Sequence, residues 1–115
     1  MNVRILHNPR CSKSRATLAL LEERGIKPDV VRYLEQPPSV DELEQLLEML
    51  GLQPRQLMRR NEPVYEQKQL DDPGLDRTAL LETMARNPIL IQRPIVIHGA
   101  RAAIGRPPEA ILEIL

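Results

Sequence analysis

The one cysteine of this chain, Cys11, lies in the stretch HNPRCSKSR, residues 7–15. Arg10, Lys13 and Arg15 put three cations within four residues of it, and Ser12 and Ser14 add hydroxyl groups. A thiol is a nucleophile only as its thiolate, and nearby positive charge lowers the pKa at which the thiolate forms. The stretch follows a short apolar run and opens what reads as a helix. A helix N-terminus presents unpaired N–H groups and partial positive charge, which stabilise a thiolate and receive oxyanions. Nucleophilic attack by Cys11 is the chemistry these residues suggest. A free cysteine is most often a small buried hydrophobe, but three cations fit poorly around an inert buried thiol.

Two known cysteine loops fail on spacing or type. The C-x5-R phosphate loop needs an arginine six residues after the cysteine, whereas Arg15 is four residues on. The C-x-x-C redox motif would need a second cysteine where Ser14 stands. A thiol here can attack, but no second thiol resolves the product, so an external thiol must discharge any disulfide or covalent adduct.

The elements that must position Cys11 follow from the pattern on either side. Val3 to Leu6 is short and branched, as strands are. SKSRATLALLEERG then reads as a helix stopped by Gly25, and Asp29 to Leu34 reads as a second strand. Strand, helix, strand within about 30 residues is a βαβ unit with parallel strands. In PPSVDELEQLLEMLG, Ser39 and Glu42 form a capping box. Leu43, Leu46, Leu47 and Leu50 make one apolar face, and Gly51 ends the helix. Pro54 to Gly74 reads as short helical turns and loops. Asp76 caps a further helix that Pro88 stops. Ile95 to Ile97 and Ala102 to Ile104 are strands joined at Gly99-Ala100, a pair that suits a type II′ hairpin. Pro107 or Pro108 opens a last helix. The order β-α-β, helical insert, β-β-α is that of an α/β thioredoxin-like fold. It implies a single domain, 1–115, with a helical insert at about 39–87.

Composition narrows the function. The 115 residues suit one domain. With 16 basic and 16 acidic residues the formal net charge is zero, where nucleic-acid binders usually carry a basic excess. Two tyrosines, with no phenylalanine or tryptophan, make a poor base-stacking platform. No nucleic-acid partner is therefore expected. No apolar run approaches the ~20 residues of a membrane span, so no membrane association is expected either. The lone cysteine and the lack of a long apolar leader favour a reducing cytoplasm. The 11 prolines fall between apolar segments and punctuate a compact fold rather than form a tract.

LHNPRCSKSR resembles YHNPxCxxSR, the signature of the glutaredoxin-coupled arsenate reductase family (ArsC). The resemblance runs almost end to end, through YLEQPPSVDELEQLLEMLG, LMRRNEPVYEQ, NPILIQRPIVI and GRPPEAILEIL. It is closest to the short ArsC-like subgroup; longer members carry a further tail. The resemblance implies an arsenate reductase, an oxidoreductase in which Cys11 attacks arsenate or a similar oxyanion. Glutathione, as co-substrate, would displace the adduct, and glutaredoxin would complete reduction to arsenite. No bound cofactor or metal is implied. His7 and Ser14 would assist the thiolate, and Arg59, Arg93 and Arg106 would bind the oxyanion. Arg60 competes with Arg59 for its role, since sequence does not orient neighbours. His98 matches no family role and reads as surface. In thioredoxin-like folds the strand facing the thiol begins with a cis proline, which here is Pro94.

Two other classes stay open at this level. One is a non-enzymatic adaptor like the Spx regulators, which bind RNA polymerase and often carry C-x-x-C. The other is a thiol-transfer protein acting on glutathionylated partners. Three arginines at the matching positions favour the oxyanion enzyme.

Overall fold

The computed structural model describes residues 2–115, which form two compact units: residues 2–36 with 93–115, and residues 37–92. The inserted unit is wider than 39–87. After the last helix of the insert, Ile91 bridges to Met58, and the Gln92 N–H donates to the Leu57 carbonyl, which holds this segment in the insert.

The first unit carries a four-stranded sheet built from β1 (Val3–Leu6), β2 (Asp29–Val31), β3 (Ile95–His98) and β4 (Arg101–Ile104). Helix α1 (Ser12–Glu23) connects β1 to β2. The strand order is β2-β1-β3-β4, with β1 parallel to β2 and antiparallel to β3, and β3 antiparallel to β4. This is the thioredoxin-like α/β arrangement. Strand alternation turns Val3 and Ile5 to the same side of the sheet. There they join Val96, Leu21 of α1, and Ile111 and Ile114 of the C-terminal segment in one core. The β3–β4 turn has Gly99 at φ 62° and Ala100 outside the positive-φ region, as a type II′ turn requires.

Two elements differ from their sequence reading. Strand β2 stops at Val31 instead of Leu34, because the Arg32 carbonyl accepts the N–H groups of both Glu35 and Gln36 and winds the chain into a turn. Tyr33, inside that turn, is fully buried. The C-terminal segment Pro108–Ile114 is a 3-10 helix, not an α-helix. Two prolines at its start have no N–H to donate, and the first N–H bond, Ala110 to the Pro107 carbonyl, already has the shorter 3-10 span.

The second unit is helical. Helix α2 (Val40–Leu50) has the full capping box, with the Glu42 N–H on Ser39 Oγ and the Ser39 N–H on Glu42 Oε1, each at 3.1 Å. Gly51 ends it in the left-handed region at φ 67°. Helix α3 is short (Pro63–Gln67), and α4 (Arg77–Arg86) is capped by the Asp76 side chain. Leu43, Leu46 and Leu47 of α2 and Leu80, Leu81 and Met84 of α4 are buried, and the two helices pack together. No helix among the described residues is long and apolar enough to cross a membrane.

Candidate active site

Cys11 is the N-cap of α1, with an extended backbone (φ −95°, ψ 123°), and is half-buried. This is the position where serine or aspartate normally offers an oxygen to the first free N–H groups of a helix. The thiol makes no such capping bond; what the helix end favours is the charged sulfur. Burial pushes the Cys11 thiol up, but the Ser14 N–H, the Arg93 guanidinium and the Lys13 N–H together outweigh it, and the thiol is held below its usual value. The N–H groups of the helix start act as expected from the sequence, but the charge that reaches the sulfur is Arg93 and not the neighbouring Arg10, Lys13 or Arg15, whose side chains are exposed.

The two arginines of the hairpin unit act as a linked pair. Arg106 Nε donates to the Arg93 carbonyl at 2.8 Å, and Arg106 Nη2 lies 4.0 Å from Cys11 Sγ. Gly105 N–H donates to the Pro94 carbonyl at 2.9 Å, so β4 and the start of β3 are tied together beside the site. The Arg93–Pro94 bond is cis, as expected; Arg106–Pro107 is also cis, which the sequence reading did not include.

His7 and Ser14 form a buried pair under the loop. His7 Nδ1 and Ser14 Oγ are 2.6 Å apart, and the Asn8 N–H donates to the same Oγ at 3.0 Å. The His7 N–H donates to the Val31 carbonyl, which anchors the end of β1 to β2. Burial, then the charges of Arg32 and Arg15, lower the pKa of His7, so the imidazole is neutral at pH 7. Ser14 thus reaches the thiolate through its main-chain N–H, while its hydroxyl is engaged with His7 and Asn8.

This arrangement is a thiol held below its usual pKa with two arginines beside it. The model of the ArsC family matches residues 6–114. The chain belongs to the ArsC family. Arsenate reductase of Neisseria meningitidis serogroup B is 50% identical over 114 residues, 98% of this chain and 97% of that protein. Arsenate reductase of Haemophilus influenzae is 48% identical over all of both chains. The solved arsenate reductase from Vibrio cholerae superposes with a TM-score of 0.98 at 53% identity, covering 100% of this chain and 98% of that one.

Within this ArsC chain, Cys11, His7, Ser14, Arg93 and Arg106 all belong to the first unit and come together there. Arg59 belongs to the second unit. Its Nε donates to Glu62 Oε1 at 3.2 Å, its N–H donates to the Leu90 carbonyl, and its side chain is only 14% exposed. Arg60 differs: its side chain is 64% exposed, 3.8 Å from Asp71 and over the Tyr65 ring. Of the two neighbours, Arg59 is the one whose guanidinium is fixed.

Asn8 is a residue that sequence reasoning missed. It is buried, its carbonyl accepts the Cys11 N–H at 3.0 Å, and its Oδ1 accepts the Arg10 N–H at 3.0 Å. With its own N–H on Ser14, Asn8 shapes the loop from both sides. The available signal was an asparagine just before a proline in a loop, where its side chain commonly bonds backbone two residues on. His98 is corrected from a surface residue: it is half-buried, and its Nδ1 donates to the Ile114 carbonyl at 2.6 Å, tying β3 to the C-terminal 3-10 helix.

Proposed function

We propose that this protein is an arsenate reductase that uses glutathione and glutaredoxin. The Cys11 thiolate attacks arsenic in arsenate, and an oxygen leaves as water, giving a covalent arsenic(V) adduct on sulfur. Glutathione adds to that arsenic with loss of a second water. A glutaredoxin thiol then attacks the glutathione sulfur. Two electrons pass to arsenic, the two external thiols leave joined as a mixed disulfide, and hydrolysis frees arsenite and the Cys11 thiol. Arg93 and Arg106 hold the oxyanion against the thiolate. His7 and Ser14 keep the helix start in place so that the Ser14 N–H faces the sulfur. The work takes place in the cytoplasm, where the external thiols are reduced.

The observation that carries this reading is the place of Cys11 at the N-cap of α1 with Arg106 Nη2 4.0 Å from its sulfur, where the Ser14 N–H, the Arg93 guanidinium and the Lys13 N–H favour the thiolate. An electropositive corner beside a thiolate suits a substrate that is both anionic and electrophilic, which arsenate is. The test is arsenate-dependent NADPH oxidation in the presence of glutathione, glutaredoxin and glutathione reductase. The expected result is turnover that needs all three and that vanishes in Cys11→Ser. Absence of arsenate-dependent oxidation with active coupling enzymes would reject the proposal.

A further inference from the structure

We propose that Gly105 is a positioning residue whose missing side chain seats Arg106 against Cys11. The inference deepens the oxyanion reading by naming what sets the reach of one arginine. Gly105 is buried and lies outside the positive-φ region, unlike Gly25, Gly51 and Gly99, so its backbone conformation is open to other residues. Space, not conformation, requires glycine. A Cβ built there would lie 2.8 Å from Pro94 Cγ, 3.2 Å from Thr17 Cγ2 and closer still to Thr17 Oγ1.

Neither neighbour yields easily. Pro94 is a closed ring. Thr17 is fully buried and β-branched, which restricts χ1 in a helix, and its hydroxyl donates to the Lys13 carbonyl at 2.8 Å. An added methyl group therefore moves the chain at 105. The next residue is Arg106, whose guanidinium bridges the Arg93 carbonyl and the sulfur. A shift of the Gly105 backbone away from α1 draws that guanidinium from the thiol, while Arg93, the Ser14 N–H and the Lys13 N–H still set the thiol pKa. Close approach of the β4 exit to α1 is thus converted into the position of one positive charge.

The test compares how fast iodoacetate, an anion, and iodoacetamide, which is neutral, alkylate Cys11 at a pH where the thiolate dominates. Their rate ratio reads anion attraction at the sulfur and does not depend on arsenate being the substrate. Gly105→Ala is expected to lower the ratio at least threefold, to match Arg106→Ala, and to cause no further fall when combined with it, because residues acting through one group are non-additive. The iodoacetamide profile against pH should move no further in Gly105→Ala than it does in Arg106→Ala. Equal falls with and without Arg106, or no fall in a folded Gly105→Ala protein, would overturn the proposal. Should Gly105→Ala not fold, the same cycle is run in a Thr17→Ala background, where the nearest obstructing atom is gone. Failure to fold there as well would show that Gly105 serves general packing and would also overturn it. If the ratios behave as expected but arsenate is not reduced, Gly105 keeps this role and only the choice of oxyanion fails.

Discussion

His7 Nδ1 and Ser14 Oγ are 2.6 Å apart, and this buried contact sits one layer behind the nucleophile. The hydroxyl also accepts the Asn8 N–H, so it joins the end of β1, the loop and the first turn of α1. What Ser14 gives to the Cys11 sulfur is its main-chain N–H.

The roles of the two Ser14 groups separate in one variant. Ser14→Ala removes the hydroxyl but keeps the N–H. It strands the Asn8 N–H and the His7 ring nitrogen in a buried place, and a stranded buried group costs about 1–3 kcal/mol. Urea unfolding should show a loss of that order. The pH midpoint for Cys11 alkylation should move little. A large upward move of the midpoint at unchanged stability would mean that the hydroxyl, not the N–H, serves the thiolate.

The neutral state of His7 gives a pH dependence with a definite sign. Its pKa lies below the usual ~6.5, through burial first and then the charges of Arg32 and Arg15. As pH falls through ~6.5 the unfolded chain takes up the proton before the folded one does. The stability associated with neutral His7 is therefore complete above ~6.5 and is lost as pH falls from there to the folded pKa. Wild type should lose more stability between pH 7 and 5 than His7→Gln does. Arg32→Gln should raise the His7 pKa, seen by NMR titration of the imidazole. A His7 pKa at or above the usual value contradicts this.

The thiol itself should titrate early. Cys11 alkylation by iodoacetamide should have its midpoint below ~8.5, the free value. Arg93→Gln should raise it, since Arg93 acts on the sulfur by both hydrogen bond and charge. With no second cysteine to resolve an adduct, oxidation with glutathione should give one mixed disulfide at Cys11, read as a single mass increment. Cys11→Ser should take up none and remain folded.

Features fixed by neighbours in sequence were readable before the fold was known. The capping box at Ser39 and Glu42, the left-handed stop at Gly51 and the Cys11 helix start all depend on residues within one turn. Features fixed by distant contacts were not. Tyr33 is buried by tertiary packing, which turns the chain at Arg32 and shortens β2. His98 bonds a carbonyl 16 residues away. Asn8 works through main-chain groups, which leave no pattern of side-chain types. The arginine pair shows both cases: Arg93 and Arg106 were found from motifs, but the bond of one to the other's carbonyl came only with the hairpin.

That bond makes arginine and lysine unequal at 106. Arsenate near neutral pH is anionic and so is the nucleophile. At ~4 Å and an effective dielectric of about 20, each pair of unit charges amounts to on the order of 4 kcal/mol before desolvation. Like charges therefore meet only where cations converge. Arg106 uses Nε to hold the Arg93 carbonyl at 2.8 Å and turns Nη2 toward the sulfur. Lysine would have to serve both from a single nitrogen, and it cannot grip two oxygens in the fork that a planar guanidinium offers. Arg106→Lys and Arg93→Lys are each expected to keep the charge but lose at least tenfold in kcat/KM for arsenate, about 1.4 kcal/mol. Arg77→Lys serves as the control, since Arg77 pairs with Glu44 on the exposed surface of the second unit. Arg32 would be a poor control because its charge acts on His7. Should Arg77→Lys and the two site variants lower kcat/KM equally, convergence of arginines on the oxyanion would not be the source of catalysis.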